Sequence, residues 1–217
     1  MTLQVLPVDP VFQPSDGVPG GAPNKWQSEA TLYQTSHAPL IQIRPFRPSD
    51  APRLYDAARE SLDQLCGWMA WCRRDYSLAD ARAFISKSEA AWGQGERYSF
   101  VITDPGDTLF LGSVGLSQVC PVHRFANVGY WVRSSCSGKG LATAATRLIA
   151  EFGLKQLQLN RLEMLMAAEN FASQRVAQKA GARFEGRLRN RLVLNGRHHD
   201  AVLYSLVEAD LEANRTT

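Results

Sequence analysis

Val128-Gly129-Tyr130-Trp131-Val132-Arg133 runs through Ser134-Ser135-Cys136-Ser137 into Gly138-Lys139-Gly140-Leu141-Ala142-Thr143, and beyond it Leu141, Ala145, Leu148 and Phe152 recur at helical spacing. A strand, a glycine loop and a helix start make an anion site. The first helical N–H groups have no partner inside the helix, and the aligned peptide dipoles leave partial positive charge there. Glycines let a phosphate approach the backbone, and Lys139 adds a direct charge. The spacing is neither the Gly-x-x-x-x-Gly-Lys-Ser/Thr of a Walker loop nor the Gly-x-Gly-x-x-Gly of a dinucleotide fingerprint. Taken alone, the loop establishes an anion at a helix start and nothing narrower.

Working outward, residues 97 to 133 lack helical period and hold three β-rich runs, Tyr98 to Thr103, Leu109 to Ser117 and Asn127 to Arg133, separated by turn residues. Upstream, Leu40 to Arg44 reads as a strand. A helix capped near Ser49 follows, with Leu54, Ala58, Leu62 and Leu65 on one side. A second helix starts at Ser77-Leu78-Ala79-Asp80, a capping-box pattern, and ends at Gly93 and Gly95. Downstream come a helix from about Gly140 to Leu157, a strand from Arg161 to Ala167, a helix from Asn170 to Ala180, and strands around 183 to 194 and 199 to 207. The expected fold is α/β, a mixed, mostly antiparallel sheet flanked by helices, in the order β-α-α-β-β-β-α-β-α-β-β.

Eight of the eleven prolines fall in residues 1 to 48 with Gly17, Gly20 and Gly21, so residues 1 to 38 read as an irregular extension. Its Val5, Leu6, Val8, Val11, Phe12 and Trp26 offer apolar surface that would dock on the domain or on a second copy in a homodimer. Residues 39 to 212 read as one domain and 213 to 217 as a tail. In 217 residues, 24 Lys and Arg against 21 Asp and Glu give a net charge of +3 without a run of like charge, which argues against direct nucleic-acid binding. No apolar stretch is long enough to span a membrane and no basic residue precedes Lys25, so a cytoplasmic protein with no membrane partner is expected. Cys66, Cys72, Cys120 and Cys136 contain no Cys-x-x-Cys pair and read as reduced thiols. His198, His199 and Asp200 alternate across a strand and read as a structural hairpin, with no metal site.

Ser137-Gly-Lys-Gly-Leu-Ala142 resembles the Arg/Gln-x-x-Gly-x-Gly/Ala loop of the GNAT N-acetyltransferase superfamily, and Gly129-Tyr-Trp-Val132 resembles the strand that precedes it there. Asn170-Phe-Ala-Ser173, on a helix ending at Gly181, is similar to a second motif of that family in the right order. Glu60 to Trp71, and Glu185-Gly-Arg187 with Asp200 and Tyr204, resemble the branch of ribosomal-protein N-terminal (alanine/serine) acetyltransferases. The resemblance spans roughly residues 41 to 207. It implies an acyltransferase that moves an acetyl group from acetyl-CoA to a primary amine, with the α-amine of a protein N-terminus as first expectation. A small amine (polyamine, amino sugar or drug) and a CoA-binding module without turnover are the alternatives.

The resemblance further implies which residues meet the co-substrate: Trp131 and Val132 along the pantetheine, Gly138, Lys139, Gly140, Leu141, Ala142 and Thr143 at the pyrophosphate, and Asn170 with Ser173 at the arm. A backbone N–H near Val132 is expected to face the developing oxyanion. Two departures stand out. Ser137 replaces the family's Arg or Gln, leaving Arg133 and Lys139 to compensate, and Ala177 stands where many relatives carry a catalytic Tyr. Ser173 is therefore the expected acid for the leaving thiolate. Glu163 is the first candidate base, with Glu60 and Glu185 competing or a water chain replacing all three, since an α-amine of pKa about 7.7–8.0 needs only a weak base. Trp68, Met69 and Trp71 lie where this fold builds its acceptor wall, at least one of them packed inward.

Overall fold

The computed structural model describes residues 31–35 and 38–213, with side chains from Leu40 to Leu211. The apolar residues singled out in the extension, Val5 to Trp26, and the tail after 213 lie outside the described residues. Along the chain run β1 (Thr31–Thr35), β2 (Ala38–Pro45), α1 (Ala51–Leu65), α2 (Leu78–Gly93), β3 (Tyr98–Thr103), β4 (Phe110–Cys120), β5 (Phe125–Val132), α3 (Leu141–Glu151), β6 (Arg161–Ala167), α4 (Phe171–Ala180), β7 (Arg183–Leu194), β8 (Arg197–Leu206) and α5 (Glu208–Ala213). They form one eight-stranded sheet in the order β1-β2-β3-β4-β5-β6-β8-β7. All neighbours are antiparallel except β5 and β6, which are parallel, as the helical crossover through α3 requires.

One element differs from the sequence reading. Thr31–Thr35, inside the stretch read as irregular, pairs with β2 as an added strand (Leu32 opposite Gln42, Tyr33 opposite Ile41). This five-residue run carries no Pro or Gly and is bounded by stretches that do. The start of α1 falls next to Ser49, as expected, at Asp50, whose carboxylate accepts the Arg47 N–H (2.8 Å) and a bidentate grip from Arg44 on β2 (2.7 Å on each nitrogen). A charge-assisted fork of this kind fixes orientation as well as distance, so α1 enters at a set angle over the sheet. The capping box of α2 is formed as expected, Ser77 Oγ accepting from the Asp80 N–H and Asp80 from the Ser77 N–H.

Each face of the sheet has its own core. On one face, α3 packs Leu141, Ala145, Leu148 and Ile149 against Ile102, Val114, Leu116, Val128 and Leu162. Here Phe152 meets Trp92, Tyr98 and Phe100 at centroid distances of 5.0–6.0 Å among the four rings. The other face packs α1 and α2 through Leu54, Leu62 and Ile85 against Val101, Phe110 and Trp131. Because side chains alternate along β5, Ala126 and Val128 serve the first core and Trp131 the second. The rest of the site follows from that alternation.

Candidate active site at the parting of two strands

β5 stays paired with β4 through Val132, but it pairs with β6 only at Phe125, Ala126 and Asn127. β6 meanwhile stays paired with β8 as far as Ala167. Past Asn127 the two strands part, and the β5 edge from Val128 to Val132 faces a gap in the middle of the sheet. Asn127 caps the apex by accepting the Leu165 N–H at 3.4 Å. Main-chain groups along such an edge are suited to a slender extended chain that carries amides, which could pair with them like an added strand.

The glycine loop stands at the open end of the gap. Gly138 and Gly140 have φ of +78° and +80°, a region that side-chain-bearing residues seldom occupy. The first helical bond, from the Ala144 N–H to the Gly140 carbonyl (3.0 Å), leaves the N–H groups of Leu141, Ala142 and Thr143 without a partner inside α3. A Cβ built on Gly138 meets nothing within 4 Å. The loop thus presents unencumbered donors at a helix start, which fits a pyrophosphate.

The loop is tied from behind. Glu60 on α1 accepts from Arg133 Nε (2.5 Å) and from the Ser135 N–H (3.0 Å). Hydrogen bonds from Ser135, and then the Arg133 guanidinium, hold its carboxyl down at about 2. Ser61 Oγ accepts the Ser134 N–H (3.0 Å), and Ser137 Oγ donates to Gln64 Oε1 (3.3 Å). Ser137 therefore faces α1. Arg133, expected to offset it as a free cation, is engaged by Glu60, while Lys139 remains exposed with its ammonium on the Ser135 carbonyl (3.2 Å). This bracing joins residues more than seventy positions apart and has no local sequence signal.

Asn170 caps α4, its Oδ1 accepting the Ser173 N–H at 3.1 Å. The Ser173 hydroxyl is half-buried and makes no hydrogen bond to another described residue. Across the gap, Tyr130 Oη on β5 donates to the Ser173 carbonyl (3.3 Å). Burial lifts that phenol to about 12, so it stays a neutral donor near pH 7. Tyr130 was not singled out in the sequence because its partner lies 43 positions away and leaves no local signal. Ala177 is fully buried against the first core.

Of the candidate bases, Glu60 is the loop anchor. Glu185 is held by Arg161 (2.6 and 2.5 Å) and Ser205 (2.6 Å), and those bonds, Arg161 foremost, bring it to about 2. Carboxylates so depressed are poor proton acceptors at neutral pH. Glu163 accepts from Arg161 Nε (2.9 Å) and sits opposite Asn127, where β5 and β6 begin to separate. It alternates with the buried Leu162 and Met164 and so belongs to the α1/α2 face.

That face holds a cavity of about 470 Å³ between α2 and the strands β3, β4 and β5. Its floor is a row of small residues in direct register, Ser99 opposite Gly115 and Gly115 opposite Gly129. A Cβ on Gly115 would lie 2.5 Å from the Tyr98 carbonyl oxygen, so glycine there lets the strands pack, whereas a Cβ on Gly129 meets nothing within 4 Å and would project into open space. Met69, Trp71, Tyr76 and Trp131 form the wall, with Trp71 centroids 5.7 Å from Tyr76 and 6.1 Å from Trp131. Trp68 and Trp71 are exposed, and Met69 is the member of the trio that packs inward.

Cys66 and Cys72, read as reduced thiols, form a disulfide around this aromatic loop. The chain doubles back after α1, bringing the Cα atoms to 4.8 Å, within bonding range, which a spacing of six residues does not reveal. The β7–β8 turn touches the same loop through Asn195 Nδ2, which donates to the Cys66 carbonyl (3.1 Å). Among the described residues no group of three or more His, Cys, Asp or Glu is placed to hold a metal ion, and no helix is long and apolar enough to cross a membrane.

Residues 41–183 match the family model described as an acetyltransferase (GNAT) domain. A Bacillus subtilis protein provisionally named ribosomal N-acetyltransferase YdaF is 31% identical over 179 residues, covering 81% of this chain and 95% of its own length. The spermidine N(1)-acetyltransferase of Escherichia coli K12 is 30% identical over 124 residues, 57% of this chain and 65% of that one. Among solved structures, Mycobacterium smegmatis RimJ in complex with CoA-disulfide superposes with a TM-score of 0.78 at 27% identity, covering 86% of this chain and 90% of that chain.

Proposed function

Since this chain belongs to the GNAT acetyltransferase family, we propose that it transfers an acetyl group from acetyl-CoA to the α-amine of a polypeptide N-terminus, such as that of a ribosomal protein. The observation that carries the reading is the gap between β5 and β6, with donors for a pyrophosphate at one end and a separate, ring-lined cavity on the α1/α2 face. Two substrates can approach from opposite sides of one strand edge. Positioning of this kind supplies much of the acceleration in acyl transfer.

Acetyl-CoA supplies the thioester when bound. The N–H groups of Leu141, Ala142 and Thr143, with Gly138, Lys139 and Gly140, take its pyrophosphate, and the main chain at Trp131 and Val132 pairs with its arm. An N–H of this edge near Val132 faces the carbonyl oxygen where charge develops. Asn170 fixes the first turn of α4, and Tyr130 ties that turn to β5, so that the Ser173 hydroxyl is held ready to give a proton to the departing sulfur. Glu163, directly or through water, takes the proton that the amine sheds.

The cavity's charges favour a polypeptide over a polyamine. Among the described residues Asp80 is the one carboxylate lining it, and it is already held by Arg73 (2.6 Å) and Ser77 (2.6 Å). A polyamine would find two cations there without an ion pair among the described residues, Lys87 and Arg97. The test is thiol release from acetyl-CoA across peptides of varied N-terminus and a panel of polyamines, amino sugars and other small amines. Faster turnover on peptides supports the reading; turnover confined to small amines overturns it. CoA binding without turnover on any acceptor would point to a binding module instead.

A further inference from the structure

We infer that the trench Ser99–Gly115–Gly129 seats the acceptor as an extended chain and that Lys87 and Arg97, at its far end, select an acidic side chain at the third or fourth residue of that acceptor. The inference rests on the peptide reading above and adds its sequence preference.

The trench crosses three strands at right angles to their direction, because its residues are partners in register. Its β5 end, Gly129, adjoins the gap where acetyl transfer is proposed, and its β3 end, Ser99, lies two residues from Arg97. Neighbouring strands are about 4.8 Å apart, so the trench runs about 10 Å from β5 to β3. An extended chain rises about 3.3 Å per residue, so about three residues span it. An amine at the gap therefore brings the side chain of the third or fourth residue to the β3 end.

The roof is a single face of α2, from Asp80 through Ala83 and Phe84 to Lys87. Charge along it is uneven. At the Asp80 end, Arg73 is offset by Asp75 (2.9 Å) and Asp80 (2.6 Å). At the other end Lys87 and Arg97 are exposed and form no ion pair among the described residues. The middle is apolar and ring-lined, so the cavity asks for a small or apolar start followed by a negative charge. Unpaired cations beside a low-dielectric wall attract such a charge and repel a positive one.

The experiment compares kcat/KM for peptide pairs that differ only in Asp against Asn, or Glu against Gln, at the third and fourth residues. The parent protein is measured beside Lys87→Glu, Arg97→Glu and the double variant, and the readout is the acidic-to-neutral ratio for each protein, which does not depend on how much of it is folded. The parent should favour the acidic peptide by about three- to tenfold, the range two exposed ion pairs supply. The double variant should reverse the preference, and added salt should shrink both effects. Equal rates on acidic and neutral peptides with the parent, or a ratio that survives the double variant, overturn the inference while leaving N-terminal acetylation standing. Absence of turnover on every peptide overturns both.

Discussion

Replacing Glu60 by Gln tests whether the phosphate-binding loop is braced from α1. The carboxylate draws Arg133 Nε and the Ser135 N–H onto α1, and its pKa lies at about 2 instead of 4.5. Carried over to a dry site, that depression would be worth roughly 3 kcal/mol, at ~1.36 kcal/mol for each tenfold change in acidity. With Glu60 and Arg133 each 31% exposed, solvent screening cuts this to about 1 kcal/mol. Gln keeps an acceptor for Ser135 but loses the charge, so the loop samples other arrangements and CoA must order it on binding. About 1 kcal/mol corresponds to roughly a fivefold rise in Kd. Calorimetric titration with CoA at low and high salt measures it. Glu185→Gln is the control, because that carboxylate is equally depressed yet touches no part of the loop. Binding by Glu60→Gln within twofold of the parent, or an equal loss in the control, would refute the brace.

Ser173→Ala should lower turnover by about a hundredfold, the lower range for a proton-transfer group, while CoA affinity stays within about twofold, since the capping N–H of residue 173 is retained. Stopped-flow thiol release with parallel calorimetry separates the two effects. Gly140→Val forces a β-branched residue to φ +80° at a cost of about 1–3 kcal/mol and should weaken CoA binding by about tenfold or more, whereas Gly140→Asn, which tolerates that conformation, should lose far less. Acid stability follows from Glu60 and Glu185, both lowered from 4.5 to about 2. Their folded values are depressed, so their stabilisation is complete above 4.5 and drains away as pH falls toward 2. Tm should therefore be level from neutral pH to about 5 and then drop, with a shallower drop in the Glu60→Gln, Glu185→Gln double variant.

Local patterns carried most of the fold. The start of α2 was legible because Ser77 and Asp80 satisfy each other's backbone within one turn, and β6 because every second residue from Leu162 to Met166 is apolar and buried. Gly138 and Gly140 announced the loop for the same reason: their information lies in their own φ angles. Features built across the chain were not legible. The role of Glu60 depends on residues 73 and 75 positions away, and the Cys66–Cys72 bond on how the chain turns after α1. The trench floor is invisible until register sets Ser99, Gly115 and Gly129 side by side, since each looks like an ordinary small strand residue. Thr31–Thr35 was missed because neighbouring prolines and glycines outweighed a five-residue run that becomes a strand only by pairing with β2.

An open sheet has two outer edges, but the parting of β5 and β6 gives this one a further pair in its interior. Outer edges are hazards that proteins blunt with charge, proline or a bulge, because any stray strand can add to them. An inner edge is flanked on its far side by another strand of the same sheet: β5 and β6 diverge from an apex at Asn127, so a chain that adds to it enters from the open end. Hydrogen–deuterium exchange makes this visible. Those amides of Val128 to Val132 that point away from β4 should exchange far faster than those bonded to it, and CoA should slow them as if the missing strand had been put back.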